Sequence, residues 1–320
     1  MTGTHSATPP GPGGRRVVVL TTGGTIACTH DAAGALVPTV SGPQLVASVR
    51  ERVPAGVTLD VRQVAELDSS SMTLAETDAV LAAVAEALAG DAAGVVVTHG
   101  TDSMEETAVA VDAFLADARP VVLTGAMRPF DDPDPDGPAN LADAVTAAAD
   151  PANRSRGAFI SFGGELIAAR GAYKRHTEAA AGFATNAPAG APRPAALAPA
   201  PLAGVDVRTV AAYPGAPRVL IDAAVADGAR GVVVEGMGAG NVGTDLAAGI
   251  TDAVGRGVAV VLTTRVPAGP VAGVYGGAGG AATLFAAGVL SSGFFRAGQA
   301  RILLAVALAT GTDPAVLLAP

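Results

Sequence analysis

The sequence has no tryptophan, one cysteine and, among its 20 basic residues, a single lysine. The lone Cys28 excludes an intrachain disulfide and fits a reducing compartment. Aromatic residues make up 3% of the chain and charged residues 15%, while half of it is hydrophobic. That balance, with a mean hydropathy of +0.43, excludes a disordered chain. The 41 glycines have no three-residue period, which excludes a collagen-like repeat. A net charge of -9 without clustered base argues against a nucleic-acid partner. Small molecules or other proteins are the expected partners. Asp, Arg, Gly or Pro interrupts each apolar run before it reaches the length of a spanning helix, so no membrane partner is expected. Met1 to Arg16 is rich in Gly, Pro and Thr and holds no apolar stretch. No secretory signal is read there, and a cytoplasmic protein is expected.

The scarcity of lysine bears on chemistry. Nineteen arginines carry almost all the positive charge, and the one ammonium is Lys174. Arg stays protonated in proteins whereas Lys can give up its proton, so a lone Lys is a candidate for proton chemistry. The alternative is a surface charge that happens to be lysine.

The chain length of 320 residues suits two domains or one large one. Continuous β-branched runs at Arg16–Thr21, Gly94–Thr98, Arg119–Thr124, Gly231–Val234 and Val258–Leu262 predict strands buried on both faces, as in a parallel sheet. Thr73 with Glu76 predicts a capping box opening a helix that Gly90 closes, and Ser103 with Glu106 predicts another. This rhythm predicts an α/β fold of two domains, with parallel-rich twisted sheets flanked by helices. Residues 186–214 begin with a Pro/Ala-rich stretch that cannot hold regular structure. The expected division is a disordered tail over 1–15, a larger catalytic domain over 16–185, a linker over 186–214 and a smaller domain over 215–320.

Neither a G-x-S-x-G elbow, an H-E-x-x-H pair nor a P-loop is present. The four histidines and Cys28 have no metal-ligand spacing, which argues against a metal enzyme. Two strand ends do carry chemistry. The first runs Thr22-Gly23-Gly24-Thr25-Ile26-Ala27 and the second His99-Gly100-Thr101-Asp102-Ser103-Met104-Glu105-Glu106-Thr107. Each delivers a threonine just past a buried strand, where open α/β sheets bind ligands. The plain reading of each is a turn or helix cap. With the Ser103–Glu106 box already capping the helix, Thr101 and Asp102 are spare. Two such threonines and one lysine suggest a threonine nucleophile with an amine base.

These segments closely resemble the two signatures of bacterial-type L-asparaginases. Further similarities follow in order at Asp68–Met72, Thr124–Pro129, Asp136–Pro138 with Asn140 and Leu141, and Thr264–Pro267, so the resemblance spans nearly everything from Arg16 onward. It implies that Thr25 is the nucleophile on the side-chain amide, with Thr101 and Lys174 activating the attack. It implies that Ser69 and Asp102 hold the substrate's α-carboxyl and α-amino groups, and that Gly24 and Gly100 border the substrate. The backbone carbonyl of Ala126 would face the leaving nitrogen. Asn241 would reach the site across a homodimer or homotetramer. The implied substrate is L-asparagine, with L-glutamine as the second candidate, and no cofactor is required. The sequence departs from periplasmic members of the family twice. Asp31–Thr39 lacks their lid tyrosine, and Gly269–Gly277 lacks their glutamate from a neighbouring subunit while holding Tyr275.

Two other classes compete. Gly238–Gly243 spells G-x-G-x-x-G after a strand, the context of an NAD(P)-binding oxidoreductase. The fingerprint wants an acid at the end of the next strand, and Thr263-Thr264-Arg265 offers none. A non-catalytic amide-binding protein would keep the fold, but the intact set Thr25, Thr101, Asp102 and Lys174 argues against it.

Overall fold

The β-branched runs become the strands of two parallel-rich sheets in the computed structural model, which describes residues 14–319. The chain divides into two units between Ala184 and Thr185. Most of the tail expected over 1–15 lies outside the described residues, and Arg15 already belongs to the first strand.

In the N-terminal unit the elements are β1 (Arg15–Gly23), β2 (Cys28–His30), β3 (Leu36–Pro38), α1 (Gly42–Val49), β4 (Val57–Leu67), α2 (Leu74–Ala89), β5 (Gly94–Thr98) and α3 (Met104–Phe114). They continue with β6 (Val121–Thr124), α4 (Gly137–Ala149), β7 (Ala158–Phe162), β8 (Glu165–Ala168) and β9 (Ala172–Lys174), and β10 (Phe183–Thr185) runs over the division. Six strands form one sheet in the order β4-β1-β5-β6-β7-β8, parallel except for the last pair. The two-residue period of β1 sorts its side chains between two helical layers. Val18 and Leu20 pack with Val84 and Leu88 of α2 and Met104 and Val111 of α3. Val17 and Val19 face the other way, toward Leu45 of α1 and Leu141 and Val145 of α4. Each such fully buried side chain contributes roughly 1.5–3 kcal/mol relative to an exposed one.

Sheet order also locates the site. From β1 the chain passes through the β2–β3 hairpin and α1 to β4 on one side. Then α2 returns it to β5 on the other side. The direction of winding therefore reverses between β1 and β5, and a crevice opens at their carboxyl ends.

In the C-terminal unit, β11 (Val207–Ala211), β12 (Gly231–Gly236), β13 (Ala259–Thr264) and β14 (Leu290–Ser291) form a parallel sheet in that order. Its helices are α5 (Val219–Ala226), α6 (Thr244–Gly255), α7 (Ala281–Ala286), α8 (Ala297–Thr310) and α9 (Pro314–Leu318). Ile221, Leu246, Ile250 and Leu284 of α5 to α7 bury Val232, Val234, Val260 and Leu262, while α8 packs along β11 to β13.

Two local expectations need correction. The expected linker over 186–214 contains β11, because the Val-Arg-Thr-Val run lies in the proline-free stretch between Pro201 and Pro214 and can pair with β12. Ser103 does not cap α3 through its side chain. Its hydroxyl donates instead to the carbonyl of Ser69 at 2.7 Å, a long-range partner that no local spacing reveals. The first capping box does form: the Thr73 hydroxyl accepts from Ala75 N–H, Glu76 accepts from Thr73 N–H, and Gly90 follows the last turn of α2. Thr73→Ala should therefore cost about 1 kcal/mol, read as a lower urea midpoint with an unchanged slope.

Candidate active site

Thr25 opens a 3-10 turn, Thr25–Ala27, directly after β1. Gly24 before it has φ 85°, a left-handed conformation that glycine adopts without strain. A Cβ on Gly24 would lie 2.5 Å from the Cα and N of Gly100, and one on Gly100 would lie 2.5 Å from the Ser69 hydroxyl oxygen. Thus the ends of β1 and β5 meet backbone to backbone, and the Ser69 side chain beyond β4 closes directly on Gly100. This contact is the reason two glycine-bearing turns stand where they do.

Around this meeting point lies a cavity of about 210 Å³. Gly24, Thr25, Ser69, Gly100, Thr101, Asp102, Ala126 and Lys174 all line it, so eight of the nine sequence-predicted site residues come together. The ninth, Asn241, belongs to the C-terminal unit, where its side-chain oxygen accepts from Ala281 N–H at 3.4 Å. Asp68, Met127 and Thr177 also border the cavity, and sequence reading assigned them no role. The volume is below the 300–1,000 Å³ typical of drug-sized ligands and suits a small polar molecule.

Lys174 is the last residue of β9, which pairs with β10 in a separate two-stranded sheet. Its Nζ donates to Thr101 Oγ1 at 2.8 Å and to Asp102 Oδ1 at 2.6 Å. Thr101 is 6% exposed, whereas the Asp102 side chain is 56% exposed. The lysine head therefore joins a buried hydroxyl to a carboxylate open to solvent. Ser69 is buried, and its hydroxyl accepts from Asp102 N–H at 3.2 Å, tying the β4 loop to the β5 loop.

Surrounding groups fix these loops. His99 is fully buried, and burial holds its pKa below the ordinary 6.5. The neutral ring donates from Nδ1 to the Gly100 carbonyl at 2.7 Å and accepts at Nε2 from the Thr107 hydroxyl at 2.9 Å. Buried Asp136 accepts from Met127 N–H at 3.0 Å and Arg128 N–H at 2.9 Å, setting the turn that presents Ala126. Asn140 braces the same turn by donating to the Gly125 carbonyl at 3.0 Å.

Both units of the chain resemble known proteins. Residues 16–192 match the family model "Asparaginase, N-terminal", and residues 206–318 match "Glutaminase/Asparaginase C-terminal domain". The chain belongs to the asparaginase family. A relative named "Probable L-asparaginase" from Deinococcus radiodurans is 36% identical, covering 93% of this chain and 94% of its own. The "L-asparaginase" of Bacillus licheniformis is 32% identical over 92% of this chain and 96% of its own. The solved structure of a probable cytoplasmic L-asparaginase from Campylobacter jejuni superposes with a TM-score of 0.83 at 28% identity, covering 95% of this chain and 98% of that one.

This asparaginase-family chain carries one further acid beside its site. Glu105, in the first turn of α3, accepts from the backbone N–H of Lys174. Burial pushes its carboxyl from the ordinary 4.5 up to about 7, opposed by the Lys174 N–H bond and reinforced by Glu106. In the unfolded chain the group ionises near its ordinary value, so between about pH 4.5 and pH 7 the folded state binds more protons. Its contribution to stability is therefore present at low pH and lost as pH rises through that window. Glu105→Gln cannot ionise. Its melting temperature should rise relative to wild type between about pH 5 and about pH 8, by the equivalent of up to about 3 kcal/mol. Parallel thermal melts at the two pH values check this, and an unchanging difference would contradict it.

Proposed function

We propose that the chain is an amidohydrolase that converts L-asparagine to L-aspartate and ammonia through a threonyl ester. The observation that carries the reading is the 2.8 Å contact from Lys174 Nζ to Thr101 Oγ1 on the wall of the cavity that Thr25 also lines. A threonine hydroxyl is a weak nucleophile until a base takes its proton. Lys174 is the base, acting through the Thr101 hydroxyl. Thr25 Oγ1 attacks the side-chain amide carbon and its proton passes to Lys174. Backbone N–H groups of the glycine turns carry the developing oxyanion. The proton returns to the leaving nitrogen, ammonia departs, and water then cleaves the ester to release aspartate and restore the threonine.

Ser69 and Asp102 would hold the α-carboxyl and α-amino groups, and the Ala126 carbonyl would face the leaving nitrogen. Their shared cavity and the resemblance of the surrounding motifs support these roles. A cytoplasmic location and a homodimer or homotetramer, with Asn241 completing a neighbour's site, belong to the same reading. The first is supported by the likeness to the Campylobacter jejuni protein, itself described as probably cytoplasmic. Among the described residues, no helix is long and apolar enough to cross a membrane.

The dinucleotide reading of Gly238–Gly243 loses ground on hydrogen bonding. The N–H groups of Gly240 and Asn241 both donate to the Met237 carbonyl, and that of Val242 donates to Gly279. These donors, which a pyrophosphate would need, are already taken.

Ammonia release from asparagine and glutamine by purified wild type, Thr25→Ala and Lys174→Met tests the proposal. Wild type should turn over asparagine, and Thr25→Ala should lose about 10³-fold or more in kcat. Lys174→Met should lose roughly 10²–10⁴-fold while keeping its fold by circular dichroism. A wild type inert toward both amides would overturn the reading. Retention of more than a few per cent of the rate by Lys174→Met would remove the lysine from it.

A further inference from the structure

Lys174 is held at both ends by one short stretch of chain. At its head, Nζ bonds Thr101 and Asp102. At its root, the backbone N–H donates to a carboxylate oxygen of Glu105, three residues beyond Asp102. All three partners lie on the connection from β5 into α3. We propose that Glu105 is a positioning residue for amide hydrolysis: by accepting the Lys174 amide hydrogen, its carboxylate fixes the backbone from which the lysine reaches Thr101. This inference rests on the hydrolytic function proposed above.

The local structure gives the contact its importance. β9 has only three residues and Lys174 is the last of them, so the sheet supports the lysine backbone on one side alone. Beyond it the chain enters a turn closed by Arg175 N–H to the Gly182 carbonyl at 2.8 Å. By contrast, α3 is anchored by Met104, Thr107, Ala108, Val109, Ala110 and Val111, all buried. A bond from its first turn transfers that rigidity to the lysine. A carboxylate also suits that position, because the first turn of a helix favours negative charge and a charged acceptor makes the stronger bond. The four torsions of a lysine side chain amplify any drift of its Cα, and a displacement of about 1 Å in a catalytic group can cost about 10²-fold. Since Thr101, Asp102 and Glu105 share one connection, head and root shift together and the aim is preserved.

The test compares Glu105→Met, which keeps length but offers no strong acceptor, with Glu105→Gln, whose amide oxygen can replace the carboxylate. Steady-state kinetics with asparagine and hydrogen–deuterium exchange at the Lys174 amide are measured on full-length protein. Glu105→Met should lose about 10²-fold in kcat with KM within about twofold, and its Lys174 amide should exchange faster. Glu105→Gln should keep kcat within about fivefold and the amide protected. Wild-type kcat in Glu105→Met, or equal losses in both variants, would overturn the proposal. If Glu105→Met does not fold, Glu105→Gln decides: kcat within about fivefold with a protected amide supports the role, and a loss of about 10²-fold in the folded variant overturns it. A wild type that releases no ammonia would instead overturn the hydrolytic reading, and the exchange data would still report whether Glu105 anchors the lysine backbone.

Discussion

Backbone contact between Gly24 and Gly100 is the constraint on which the site depends. The strands that carry these turns are hydrogen-bonded neighbours, and their carboxyl ends diverge only as far as the turns allow. A single methyl group at Gly24 would sit 2.5 Å from the Gly100 backbone. With the methyl absent, Thr25 and Thr101 are delivered to one small cavity from two different strands. Everything else in the N-terminal unit serves this approach. The two helical layers hold β1 and β5 flat against each other, His99 ties down the Gly100 carbonyl, and the Ser69 hydroxyl closes the third side.

The electrostatics of the site are arranged in depth. Its charged head groups, Lys174 and Asp102, meet at the mouth, with the carboxylate half open to water. Deeper groups are neutral or fully bonded: the His99 ring is uncharged and satisfied at both nitrogens, and Asp136 is buried but accepts two backbone N–H groups. Glu105 lies between these layers, where burial weakens its hold on a negative charge without abolishing it. Such an arrangement places flexible charge where a polar substrate arrives and rigid polarity where loops must not move.

Much of this is legible in the sequence because the signals are local. β-branched runs mark the buried strands, the Thr73–Glu76 spacing marks the start of α2, and two threonines after glycine turns mark the strand ends that matter. The lone lysine points to Lys174 without any geometry. The features that escape such reading all depend on partners distant in the chain. Ser103 looks like a cap because Glu106 stands three residues on, yet its hydroxyl bonds a carbonyl 34 residues away. Glu105 reads as an ordinary first-turn acid until Lys174, 69 residues on, is brought above it. Strand β11 hides behind proline-rich neighbours because composition averages over a window and pairing does not.

The single lysine has a practical corollary. Among the side chains of this sequence, reagents that couple through primary amines will find only Lys174, which is 20% exposed. Attachment of polymers or resins to a side chain of this sequence by such chemistry would thus be directed into the cavity, with no other lysine to absorb it. Linkage through carboxylates, which are numerous and mostly superficial, would spare the nitrogen proposed to carry the proton.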